Sequence, residues 1–199
     1  KKDDYTKLFK LVGPISFQYL MTSLVSASDA FMLGLLDQTS MSAVSLAAQV
    51  AFVYSLFFGA FVFGFNVMGA QYWGKKDKKS VEKVITITLR YTLIVGIIFS
   101  AVTLIIPEAV MHFFTSDIEL INAGAKYLKV VSASYLLTGI SQVYFGVLKV
   151  CDKAGLSSLI GSLAVVINIG LNALFIFGVG PIQGMGVAGA ALATVCARV

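Results

Sequence analysis

The chain has 199 residues, of which 58% are hydrophobic and only 13% charged, with a formal net charge of +5 and a mean hydropathy of +0.88. Soluble domains carry about 25% charged residues, so the composition excludes a soluble fold and indicates an all-α integral membrane protein. A spanning helix needs about 20 apolar residues, and six such spans with short connections leave no room for a large soluble domain.

The first span is expected at about 8–36, long enough that it must tilt, kink or protrude. Gly13-Pro14 near its start offers two readings, a bend or a proline in the first turn at the interface. Asp37-Gln38-Thr39-Ser40 is a polar connection, and a second span at about 44–72 carries Gly59, Gly64 and Gly69. Lys75 to Lys83 is the most polar stretch and reads as a solvated loop.

A third span at about 84–106 starts near Arg90, whose head group can snorkel to the interface, and Pro107 is expected to end it. Ser116 and Glu119 form an S-x-x-E capping box expected to start the fourth helix, with its span at about 124–149. The lone His112 between them reads as solvated or packing. The fifth span, about 156–177, contains Asn168 and Asn172. The glycine-rich stretch from Gly178 to Gly186 lacks the Lys-Ser/Thr pair of a phosphate-binding loop. The sixth span, about 187–199, is still apolar at Val199, so the chain reads as part of something longer, and no removable signal peptide precedes the first span.

Thirteen Lys and Arg residues fall on one side of this six-span arrangement, and only Lys126 and Lys129 on the other. By the positive-inside rule the amino terminus is cytoplasmic. The same distribution accounts for the basic balance without nucleic acid as a partner, since the charges flank spans rather than gather on a soluble face. Cys151 and Cys196 are expected to be packing residues with no disulfide.

Asp29 is the one formal charge well inside an apolar run. A carboxylate near the bilayer interior costs about 2.5–3.5 kcal/mol on insertion scales, so it normally faces protein or a wet cavity and marks an ion or substrate path. Asp29 lies seven residues before Leu36, Asn172 six before Gly178, and Thr194 eight after Gly186, which puts all three about 9–12 Å below the same membrane face. Asn168 and Asn172 share a helical face, as do Ala190 and Thr194. One carboxylate, two amides, a hydroxyl and a backbone carbonyl make an all-oxygen set, which suits Na⁺ better than a divalent ion. The carboxylate can equally carry a proton itself. The competing reading makes these residues structural hydrogen bonds between helices. Gln49, Tyr54, Asn66, Gln71, Tyr72, Tyr135, Gln142 and Tyr144 are candidates for lining a substrate cavity in which aromatic faces attract organic cations.

Several ordered motifs resemble those of the multidrug and toxic compound extrusion (MATE) transporters. They are Leu11-Val12-Gly13-Pro14, Ser28-Asp29 with Gly34, Leu46-Ala47-Ala48-Gln49, the run from Gly69 to Asp77, the run from Asn168 to Gly178, and the run from Gly186 to Thr194. The resemblance covers essentially the whole chain. It implies a twelve-span transporter in two six-helix lobes, with this chain as the amino-terminal lobe and a carboxy-terminal lobe as its partner. It also implies export of small organic cations coupled to Na⁺ or H⁺, without a cofactor, in a bacterial inner membrane. The family's cation site falls on Asp29, Asn168, Asn172, Ala190 and Thr194. Some members carry aspartate where this chain has Asn172, so a mechanism needing two carboxylates is weakened here. The rival readings are a flippase for a lipid-linked substrate from the same superfamily and a non-transporting scaffold or channel. No nucleophile–base pair, metal-ligand spacing or nucleotide loop supports an enzyme.

Overall fold

The structure, a computed structural model, describes residues 2–179 and 182–198, with side chains described for all of these except 2–4, 6–8, 10, 11, 26, 179 and 182. Lys1, Gly180, Pro181 and Val199, all included in the six-span reading, lie outside the described residues. Seven helices follow in chain order: α1 (Lys2–Gly34), α2 (Gln38–Gly74), α3 (Lys78–Ile105), α4 (Pro107–His112), α5 (Ile118–Val150), α6 (Ala154–Phe177) and α7 (Val187–Cys196). Between α6 and α7, Gly178–Val179 (β1) and Ile182–Gln183 (β2) pair antiparallel as a minimal hairpin.

α2, α3, α5 and α6 are each long and apolar enough to cross a membrane. α1, at 33 residues, is about 50 Å long. It runs through Pro14 as one helix, twelve residues past its first residue, so the proline is interior and not in the first turn. The outer surface is what a bilayer requires: Phe9, Phe31, Phe63 and Phe113 are each more than two-thirds exposed. In water such a surface would associate, whereas in hydrocarbon it is solvated.

Aspartates cap the starts of α2, α3 and α5. Asp37 accepts from Ser40 N at 2.6 Å and from its hydroxyl at 2.7 Å, and Asp77 repeats the arrangement with Ser80 at 3.1 and 2.6 Å. Each cap satisfies donors that the first turn leaves unpaired. The capping box expected at Ser116 is not used. Asp117 is the cap instead, accepting from Glu119 N at 2.9 Å and Leu120 N at 3.4 Å. Pro107, expected to end a helix, also opens α4 at the position where its missing N–H costs nothing.

α5 is the central helix, packing on α2, α3, α4 and α7, while α1 packs chiefly on α6. α7 rests on both α5 and α6 and joins the two groups. The principal core cluster lies between α2 and α5 and includes Tyr54, Leu128, Val131 and Tyr135, with Ala191 reaching it from α7. Polar ties fix both ends of the bundle: Trp73 Nε1 donates to Asp152 at 3.2 Å between the connections at one end, and Lys129 pairs with Glu108 at 2.9 Å at the other.

Candidate cation site

The geometry of the site begins with α1 and α6 lying against each other. Asn172 is fully buried, and its Nδ2 donates both to Asp29 Oδ1 and to Asn168 Oδ1, the latter at 3.1 Å. Both amide protons are therefore spent inside the site. The Asn172 Oδ1 that remains is buried and has no partner.

α7 brings in the second half. Leu33, one turn beyond Asp29, and Ile176, one turn beyond Asn172, pack with Ala190 in one buried cluster. Because α7 runs antiparallel to α6, Thr194 lies one turn deeper than Ala190, at the level of Asp29 and Asn172. The Thr194 hydroxyl donates to the Ala190 carbonyl at 3.0 Å, so its oxygen can act only as an acceptor toward other groups. Gly189 makes this approach possible, since an added Cβ would lie 2.3 Å from the Phe175 carbonyl oxygen. Met185 N and Gly186 N also close on the Phe175 and Ile176 carbonyls, at 2.8 and 3.3 Å, pinning the start of α7 to the end of α6.

Asp29, Asn168 and Asn172 thus meet directly, with Ala190 and Thr194 beside them. One further residue belongs here. Tyr127 of α5 packs against the Leu33–Ile176–Ala190 cluster, faces the Thr194 hydroxyl and lies within electrostatic reach of Asp29. The sequence pattern does not single out Tyr127, which lies between Lys126 and Lys129. With α5 starting at Ile118, the same depth argument puts it about 14 Å in, near the others.

The proposed cavity residues do not form one group. Tyr54 and Tyr135 are corrected to core: Tyr54 is 2% exposed, donates its hydroxyl to the Tyr135 carbonyl at 2.6 Å and stacks edge-on to the Tyr135 ring at 5.1 Å. Gln49 and Gln71 are exposed, as is Tyr144, and Asn66, Tyr72 and Gln142 are half-buried. A cavity of about 420 Å³ between α2, α3 and the α4 region is wholly apolar, lined by Val50, Ile98, Val102 and Phe114 among others, and contains none of the eight. Among the described residues no cluster of three or more His, Cys, Asp or Glu side chains exists that would hold a transition metal.

A helical lobe in which four helices are long and apolar enough to cross a membrane is that of a multi-pass membrane protein. The MatE family model matches residues 14–174, and the chain belongs to that family. Among its relatives are the probable multidrug resistance protein NorM of Thermotoga maritima, 27% identical over 96% of this chain and 41% of that protein, and the uncharacterized transporter YisQ of Bacillus subtilis, 23% identical over 99% and 43%. The solved outward-facing conformation of a multidrug resistance MATE family transporter of the MOP superfamily superposes with a TM-score of 0.86 and 23% identity, over 96% of this chain and 42% of that one. The chain therefore spans about two-fifths of the length of these relatives, and its fold is that of one lobe of the twelve-helix transporter architecture.

Proposed function

We propose that this chain is the amino-terminal lobe of a secondary antiporter that exports organic cations in exchange for Na⁺ or H⁺, in a bacterial inner membrane with the amino terminus cytoplasmic. The family membership and the names of the relatives support the transport class. The positive-inside distribution of Lys and Arg supports the orientation.

One observation carries the coupling role: the buried, unpartnered Asn172 Oδ1 lies beside the Asp29 carboxylate. An orphaned buried acceptor costs its desolvation penalty, and a cation beside the carboxylate would satisfy this one. A small cation seated there is held by Asp29, Asn172 Oδ1 and the Thr194 oxygen, with Asn168 and the Ala190 carbonyl completing an oxygen shell. A single carboxylate balances a single positive charge, whether Na⁺ or a proton. Binding there biases an equilibrium between outward- and inward-open states, and the organic cation draws on the opposite state.

The test is efflux by the full-length protein in proteoliposomes, with Na⁺ and pH gradients imposed separately. Asp29→Asn is expected to abolish gradient-driven efflux while insertion is unchanged. Full activity in that variant removes the proposed role.

A further inference from the structure

A second polar station lies on the α1–α6 seam, three helical turns from the first. Gln18 is 8% exposed and its Nε2 donates to the Ser157 carbonyl at 3.5 Å. Ser157 is fully buried, and its hydroxyl oxygen has no partner. Gly161, one turn along α6, leaves the room that Gln18 fills, since an added Cβ would lie 2.7 Å from Nε2 and 3.2 Å from Cγ. Within α1 the Thr22 hydroxyl donates to the Gln18 carbonyl at 2.9 Å.

The register of the two stations matches. Gln18 precedes Asp29 by eleven residues, and Ser157 and Gly161 precede Asn168 and Asn172 by the same interval. Eleven residues are close to three whole turns, about 16 Å, so one face of each helix carries both stations. α1 and α6 run in the same direction and pack on each other, and the seam leads from the Asp29 site toward the amino-terminal end of α1.

We propose that Gln18 and Ser157, joined by the bond from Gln18 Nε2 to the Ser157 carbonyl with Gln18 lying over Gly161, form an inner way-station for the coupling cation as it leaves the Asp29 site toward the cytoplasm. The proposal rests on the reading of Asp29 as a cation site. The chemistry differs between the stations in the sense transit requires. The outer one holds a full negative charge and binds, whereas the inner one offers only neutral amide and hydroxyl oxygens. A neutral oxygen site shelters a hard monovalent ion but lets it go, which is what a conduction path needs at its intermediate stops. The buried hydroxyl without a partner is the atom that such an ion or its water would satisfy.

The test uses the full-length protein in proteoliposomes loaded with a fluorescent organic cation. It reads the maximal rate of ion-driven efflux, the external Na⁺ or H⁺ concentration giving half that rate, and the melting temperature of the purified protein. Gln18→Leu and Ser157→Ala are expected to lower the maximal rate several-fold with the half-saturating concentration unchanged, and Ser157→Ala, which removes only an unpartnered hydroxyl, is expected to leave the melting temperature unchanged. Gln18→Glu, which supplies a charge, is expected to tighten apparent cation binding and slow release further. Wild-type rates in Gln18→Leu and Ser157→Ala overturn the proposal, as does a rate loss that follows the melting temperature in all three variants, since that is the behaviour of a packing contact. If Gln18→Leu does not insert, the other two variants decide. Asp29→Asn, run alongside, separates the layers: coupling that survives there overturns the cation site and the way-station with it, whereas lost coupling there with unaltered Gln18 and Ser157 variants overturns the way-station alone.

Discussion

Replacing Asn172 with Leu isolates the bond on which the site is built. The substitution keeps the number and branching of side-chain heavy atoms, and Asn172 is fully buried at the α1–α6 contact. It removes two hydrogen bonds at once, one to the Asp29 carboxylate and one to Asn168 Oδ1. A bond to a charged acceptor contributes about 1.5–3 kcal/mol and a neutral one about 0.5–1.5 kcal/mol, so the expected loss is about 2–4.5 kcal/mol. The same change deletes the unpartnered Oδ1, and with it one ligand of the proposed cation. Thermal unfolding of the purified full-length protein, followed with and without Na⁺, reads both effects. Asn172→Leu is expected to melt lower without Na⁺ and to lose whatever stabilisation Na⁺ confers on the wild type, because a ligand stabilises only the state it binds. A variant that melts and responds to Na⁺ like the wild type refutes the reasoning.

Three further outcomes follow from other parts of the fold. Gly189→Val places side-chain atoms against the Phe175 carbonyl, which an added Cβ already approaches to 2.3 Å; overpacking of this kind costs about 1–3 kcal/mol, and cation binding is expected to weaken with Asp29 intact, measured by Na⁺ titration of the variant. Tyr54→Phe removes the buried bond to the Tyr135 carbonyl at a cost of about 1 kcal/mol, so melting is expected to fall while organic-cation efflux is retained, as befits a core residue rather than a cavity wall. Asp37 is held below the ordinary carboxylate range first by the Ser40 backbone N–H and then by its hydroxyl. Its capping contribution is therefore complete above the unfolded value of about 3.9 and is lost as pH falls through the lower folded value. Asp37→Ala is expected to cost about 1 kcal/mol at neutral pH, with the difference from wild type shrinking in strong acid, seen in melting curves across pH.

Much of this architecture is legible in the residues because hydrocarbon imposes simple rules. Each helix must satisfy its own backbone, so long apolar runs bounded by polar connections mark α2, α3, α5 and α6 with little ambiguity. The meeting of Asp29 with Asn172 is legible for a related reason: rise per residue converts position along a span into depth, and two rare polar residues at one depth on parallel helices are placed to meet. The misreadings have local causes. Thr115, Ser116 and Asp117 are three consecutive residues able to cap a helix, and spacing to Glu119 favours Ser116, yet Asp117 takes the role. A proline that stops one helix is equally suited to begin the next, which is how α4 arises at Pro107. Tyr54 and Tyr135 look like cavity residues because a phenol is half polar; that Tyr54 spends its hydroxyl on a backbone carbonyl across the α2–α5 contact is a property of packing that no local pattern records. Tyr127 carries no local signal, because its neighbours Lys126 and Lys129 give that turn the composition of a membrane surface.

Equilibrium Na⁺ binding and proton release by the purified full-length protein, compared between wild type and Asp29→Asn at fixed pH, tests the central claim most directly. The account predicts that the variant loses one equivalent of bound Na⁺, or one exchangeable proton, relative to the wild type. Identical Na⁺ and proton stoichiometry in the two proteins would contradict it.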